Sequence, residues 1–189
     1  MTRTVLITAL LLGLAAGVGT AQAHRLESEY RPLVISVVPT VDIPLPPDHR
    51  LFQVGGGVAA RIGTVFPFFP RLSAGAEVVY RLAPMEHPDL GDLGSLSLVS
   101  GEASVELSYT FLGRIDIYLA GGVGWFYALL NEDASQWVSN LALSGRLGAG
   151  LRASPRLGVS IQGEYRRYQS LYHLIGIGVA LDLRLGGLP

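Results

Sequence analysis

Glu102-Ala103-Ser104-Val105-Glu106-Leu107-Ser108-Tyr109-Thr110 alternates polar and apolar side chains without a break. An extended chain turns successive side chains to opposite faces. This segment therefore reads as a strand with Ala103, Val105, Leu107 and Tyr109 in one medium and Glu102, Ser104 and Glu106 in another. Gly75-Ala76-Glu77-Val78-Val79-Tyr80-Arg81 carries the same alternation.

Working outward from these segments, the period of two predicts eight strands: Leu33–Ile43, Leu51–Thr64, Arg71–Leu82, Ser95–Phe111, Ile115–Leu129, Leu141–Arg152, Leu157–Tyr168 and Leu174–Leu185. Most reach the roughly 9–11 residues that a tilted strand needs to cross a bilayer's hydrocarbon. Tight links around Phe69-Pro70-Arg71, Leu112-Gly113-Arg114 and Ser154-Pro155-Arg156 alternate with connections containing 44–50, 83–94, 131–140 and 169–173, most of them longer and more polar. Pro70-Arg71-Leu72 and Pro155-Arg156-Leu157 introduce two similar strands, one hairpin design used twice. Pro39 falls inside the first strand, where it cannot donate to a ladder, and predicts a bulge or a shortened strand.

Sorting each strand by parity separates two chemistries. One face collects Phe52, Val54, Val58 and Ile62 from the second strand and Leu72, Val78 and Tyr80 from the third. Later strands add Val105, Leu107, Tyr109, Phe111, Ile117, Leu119, Val123, Trp125, Tyr127, Leu143, Leu147, Val159, Ile161, Tyr165, Ile177 and Leu181. Arg167, near one rim, is the single charge there. The other face collects Asp42, Arg61, Glu77, Arg81, Glu102, Glu106, Asp116, Arg146, Arg152, Glu164, Arg166, Asp182 and Arg184, with glycines such as Gly57, Gly122, Gly124, Gly148, Gly176 and Gly178 among them. Charges inside and apolar side chains outside are the reverse of a soluble ligand-binding barrel. The pattern predicts an all-β, eight-stranded, antiparallel up-and-down transmembrane barrel with a lipid-facing apolar exterior and a polar interior. Tyr80, Trp125, Tyr127 and Tyr165 fall toward one rim, and Tyr109, Phe111, Phe66, Phe68 and Phe69 toward the other, the two girdles expected at membrane interfaces.

Composition agrees with export to a membrane. Met1–Ala23 has a basic start at Arg3, an apolar stretch through Leu6–Ala16 and Ala21-Gln22-Ala23, the pattern of a cleavable secretion signal, which leaves one domain over 24–189. The chain has no cysteine, so disulfides and thiolate chemistry are excluded. Net charge is −1, and all 14 basic residues are arginines that form no run, which argues against a nucleic-acid partner.

With Gly55-Gly56-Gly57, Gly75-Ala76-Glu77 and Gly121-Gly122-Val123-Gly124 in alternating strands behind a signal segment, the chain resembles the small eight-stranded outer-membrane barrels, the OmpA transmembrane domain and OmpX-like proteins. The resemblance covers about His24 to Leu185. It implies a bacterial outer-membrane location, outer-membrane lipid as surroundings, insertion by the barrel-assembly machinery, and long loops on the extracellular side. The usual terminal aromatic residue of the insertion signal is replaced here by Leu185 and a Gly186-Gly187-Leu188-Pro189 tail.

Residue by residue, the expected functional features are few. Arg61, Glu77, Arg81, Glu102, Glu106, Arg146, Glu164, Arg166, Asp182 and Arg184 are expected to form a luminal ion-pair network that plugs the barrel, with a narrow ion path as the competing reading. Tyr80, Tyr109, Phe111, Trp125, Tyr127 and Tyr165 are expected at the membrane interfaces, and Trp137 as an interfacial anchor or an adhesive contact. A lipid A-modifying enzyme of this class needs a serine within reach of a histidine. His49, His87 and His173 sit in loops, His173 near Ser170, with no strand-borne His-x-Ser. Asp48, His49, His87 and Asp89 could gather a metal, but their spacing is loose. The expectation is a non-enzymatic monomer without catalytic, cofactor or metal residues, serving envelope structure or surface interaction through its loops. A lipid A deacylase-like enzyme and a narrow pore are the alternatives. The ligand of the loops is not legible.

Overall fold

The structure, a computed structural model, describes residues 33–66, 68–130 and 137–185. The expected signal at 1–23 and the tail at 186–189 lie outside these residues. Eight strands close into a barrel in chain order: β1 (Leu33–Pro44), β2 (Gly55–Phe66), β3 (Phe69–His87), β4 (Gly91–Phe111), β5 (Ile115–Leu130), β6 (Trp137–Arg152), β7 (Leu157–Tyr168) and β8 (Tyr172–Leu185). Every neighbouring pair is antiparallel, and β1 closes the ring against β8. Closure leaves no sheet edge, so the strands satisfy one another's backbone groups without water. That is the condition for crossing hydrocarbon. No helix among the described residues is long and apolar enough to cross a membrane.

Side chains alternate as the sequence pattern requires. In β7 every second residue from Gly158 to Tyr168 is buried, and the residues between them are exposed. Outward-facing Val105, Leu119, Val123, Leu147, Ile161, Ile177 and Leu181 are each at least half exposed, an apolar surface that water would not tolerate over this area. Arg167 is on that surface, and its partner across β7–β8 is His173 at the rim.

Four local expectations are corrected. Phe52 is 5% exposed and faces inward, because β2 starts at Gly55 and the chain before it folds over the barrel mouth. Residues 83–94 are not an open loop: β3 runs on to His87 and β4 begins at Gly91, so a ladder carries the hairpin beyond the rim. β6 begins at Trp137, four positions earlier than the apolar pattern indicates. Pro39 neither shortens nor bulges β1; pairing with β8 lapses at Val38 and Pro39 and resumes at Thr40 in the same register. A residue without N–H removes ladder bonds locally, and its ring faces outward where nothing crowds it.

Two rims differ in construction. At one, β2–β3, β4–β5 and β6–β7 join through short turns; Leu112 and Gly113, both at positive φ, shape the β4–β5 turn. The other rim carries the tip of the β3–β4 hairpin, the turn at 169–171 and residues 45–54. There residues 45–54 form a 3-10 turn at Asp48–Arg50 that is fastened on both sides. Leu45 N–H donates to the His173 carbonyl at 2.9 Å, Gln53 N–H to the Pro84 carbonyl at 2.9 Å, and Glu86 N–H to the Leu51 carbonyl at 2.9 Å.

Candidate functional site

Among the described residues the interior concentrates the charged and polar side chains, and it is layered. Nearest the loop rim, Phe52, Leu96, Leu98, Phe126, Tyr168, Tyr172 and Leu174 form an apolar cap, with Leu51, Met85 and Leu171 against it. Four rings stack through it in sequence: Phe52 on Tyr172 at 4.5 Å, Tyr172 by Tyr168 at 5.5 Å, and Tyr168 edge-on to Phe126 at 5.1 Å. Register explains the layering. Inward positions of β4 pass from Leu96 and Leu98 through Ser100 to Glu102, and those of β5 from Phe126 to Gly124. The cap is absent from the sequence reading, although apolar inward parity in the outer thirds of β4, β5, β7 and β8 was available as its signal.

Beneath the cap lies a belt of four guanidinium groups and four carboxylates. Arg166 pairs with Glu102 and Glu77, Arg61 and Arg146 pair with Glu77, and Arg81 pairs with Asp42 and Glu164. Longer contacts run from Arg61 to Glu164 at 3.6 Å and from Arg166 to Glu164 at 3.4 Å. Arg166, Arg81 and Glu77 are essentially without solvent. Charges so buried persist only when paired, because an isolated ion in this setting costs several kcal/mol. Space for the long side chains comes from facing glycines. A Cβ on Gly176 would stand 2.9 Å from Glu164 Cγ and 3.0 Å from Asp42 Oδ1, and one on Gly148 would strike the Tyr118 ring.

Toward the short-turn rim the interior becomes polar and partly open. Tyr118 O–H donates to Gln162 Oε1 at 3.1 Å, Arg61 Nη1 donates to the same oxygen at 2.5 Å, and Ser36 O–H donates to Asp182 at 2.6 Å. At the mouth Asp116 accepts from Arg152 Nε and from Arg184 Nη2, both at 2.8 Å. Of the ten residues expected in one network, Arg61, Glu77, Arg81, Glu102, Arg146, Glu164 and Arg166 share the belt, joined by Asp42. Arg184 belongs to the separate cluster at the mouth. Glu106 and Asp182 face the lumen but have no guanidinium within ion-pairing distance among the described residues.

The aromatic candidates all face outward. Tyr80 and Tyr127 flank Val99 at one height near the loop rim, with Trp125 one outward step below and Tyr165 beside His173. Tyr109 and Phe111 pack edge to face at 4.5 Å near the short-turn rim. Trp137 is exposed beside Tyr127, 6.4 Å between ring centres.

Among the described residues no serine hydroxyl hydrogen-bonds a loop histidine. His173 Nδ1 lies 3.2 Å from Asp48 Oδ2 and its Nε2 lies 3.1 Å from the Pro46 carbonyl oxygen, so both ring nitrogens are engaged. His87 Nδ1 accepts from the Asp89 N–H at 3.2 Å within its own turn. Among the described residues no three His, Asp or Glu side chains gather as a metal site.

No family profile and no curated protein matches the chain. Solved structures do. Neisserial surface protein A superposes with a TM-score of 0.60 at 11% identity, over 82% of this chain and 97% of that one. The fold is that of the small eight-stranded outer-membrane barrels. A de novo designed transmembrane β-barrel shares this fold at TM-score 0.52 and 15% identity, over 85% of this chain and all of that one. So does Ail, the attachment invasion locus protein of Yersinia pestis, solved with the heparin analogue sucrose octasulfate, at 0.50 and 12%, over 84% of this chain and all of that one. That a designed barrel is among them is informative. The outer-membrane barrel fold follows from side-chain parity and strand pairing, and identities this low carry no functional residue across.

Proposed function

We propose that this chain is an exported, monomeric, non-enzymatic barrel of the bacterial outer membrane whose interior is sealed and whose loops are its interacting surface. In this reading residues 1–23 are removed on export, the short-turn rim faces the periplasm, and the barrel-assembly machinery inserts residues 24–189 into outer-membrane lipid. The layered interior is the observation that carries it. An ion entering from the loop rim meets a cap of stacked aromatic rings, then a belt in which each carboxylate is already claimed by an arginine. A dry apolar constriction is itself a barrier to ions, and the arginines paired across the belt beneath it leave no open cation path of aligned carboxylates. Planar-bilayer recording of the reconstituted protein tests the seal: no unitary conductance is expected, and discrete open events would favour the narrow-pore alternative.

The enzyme alternative is a lipid A-modifying hydrolase centred on the His173–Asp48 pair. Against it stands the geometry of His173: its second nitrogen is turned to the Pro46 carbonyl oxygen, and among the described residues no serine hydroxyl is hydrogen-bonded to the ring. Mass spectrometry of lipid A from cells with and without the gene decides: identical lipid A is expected, and a lost acyl chain would refute the non-enzymatic reading.

A further inference from the structure

The two rims carry opposite charge, and the imbalance is built into the turns. One arginine marks each short turn: Arg114 and Arg156 directly precede Ile115 and Leu157, which begin β5 and β7, and Arg71 is the third residue of β3, before Leu72. All three are exposed, and among the described residues none of them makes an ion pair. No carboxylate occurs in 66–71, 111–115 or 153–157. The other arginines near this rim differ, since Arg152 and Arg184 are both spent on Asp116. At the loop rim the described carboxylates Asp48, Glu86, Asp89 and Asp92 instead outnumber the arginines Arg50 and Arg167.

Arg71 stands at the height of the outward-facing aromatics, as its neighbours show, and Arg114 and Arg156 lie in the other two turns of the same rim. The Arg71 guanidinium lies over the Tyr109 ring at 4.7 Å, and Tyr109 faces outward with Phe111 beside it. Phe68, Phe69 and Leu112 project from the same turns, well exposed. Apolar tips that enter a bilayer beside uncompensated cations form the two-part surface that anionic lipid headgroups select.

We propose that Arg71, Arg114 and Arg156 form a collar that seats the phosphodiester headgroups of anionic phospholipids in the leaflet at the short-turn rim, with phosphatidylglycerol as the representative lipid. Each arginine donates to phosphate oxygens while the adjacent aromatic or leucine side chain enters the acyl region. Placing that leaflet on the periplasmic side rests on the function proposed above; the lipid preference itself does not.

Electron spin resonance of the barrel in phosphatidylcholine nanodiscs tests the collar, with spin-labelled phosphatidylglycerol compared with spin-labelled phosphatidylcholine. One basic residue near an anionic surface is worth about a fivefold preference. The motionally restricted fraction is therefore expected to favour phosphatidylglycerol about fivefold at low salt, and to lose that preference in 1 M salt. Arg71→Gln/Arg114→Gln/Arg156→Gln is expected to abolish the preference. The corresponding triple lysine variant keeps it, and so does Arg50→Gln/Arg167→Gln at the other rim. Equal binding of the two lipids by the wild-type protein, or a preference that survives either 1 M salt or the triple glutamine substitution, would overturn the proposal. The salt arm needs no variant, so it decides even if the triple variant does not fold. A protein that conducts ions but shows the preference would refute the sealed lumen and leave the collar standing.

Discussion

Glu77 is the keystone of the luminal belt, because Arg61, Arg146 and Arg166 all converge on its carboxylate. Replacing it by glutamine keeps the shape and removes one charge, which leaves four guanidinium groups against three carboxylates in a solvent-free layer. The amide can still accept through its oxygen, but its NH2 now faces arginine donors. Three charge-assisted hydrogen bonds at about 1.5–3 kcal/mol each set an upper bound. Rearrangement around Glu102 and Glu164 recovers part, so the expected loss is the about 3–5 kcal/mol typical of an orphaned buried charge. Arg146 has no ion-pair partner other than Glu77 among the described residues. Glu77→Gln with Arg146→Met therefore restores the charge balance and should recover more than half of the loss. The assay is guanidinium unfolding in lipid vesicles followed by the fluorescence of Trp125 and Trp137, with gel mobility before and after boiling as the check on folding. A Glu77→Gln midpoint equal to wild type, or a double variant less stable than the single, would refute the reasoning.

Other perturbations separate the faces of the barrel. Gly148→Ala should cost about 1–3 kcal/mol through its clash with Tyr118, and much less in a Tyr118→Ala background; equal costs in both backgrounds would show that the contact is not the cause. Leu147→Arg, on the lipid face midway along β6, should cost about 2–4 kcal/mol in vesicles, whereas Arg167→Leu near the rim should change stability by less than about 1 kcal/mol. Phe52→Ala should cost about 3–5 kcal/mol if Phe52 belongs to the apolar cap, and little if it faces lipid, which the same unfolding assay distinguishes.

What the sequence made legible is the part governed by parity. Each strand meets two solvents, so Val105 and Glu106 announce their sides independently of every other residue, and short turns at Leu112-Gly113 and Ser154-Pro155 fix which strands are neighbours. The cap escaped because it breaks the rule that inward means polar: Leu98, Phe126 and Leu174 have inward parity but outward chemistry, and only the register shows them converging at one height. Phe52 was assigned to lipid for a related reason, since parity was extended through residues that had already left the strand. The hairpin at 83–94 was hidden by Pro84, Pro88 and Gly91, which read as loop, although β3 tolerates Pro84 beside a register shift at Met85. In the belt, the type of residue was visible and the partner was not. Nothing in one dimension says that Arg61, Arg146 and Arg166 choose the same glutamate, or that Glu106 has no ion pair among the described residues.

Nitroxide scanning of β4 in bilayers reaches the root of all this. With a single spin label placed in turn at positions 102 to 110, collisions with dissolved oxygen, which concentrates in hydrocarbon, should rise and fall with a period of two, high at 103, 105, 107 and 109 and low at 102, 104 and 106. A flat profile, or maxima at the glutamate positions, would contradict the assignment of these two faces.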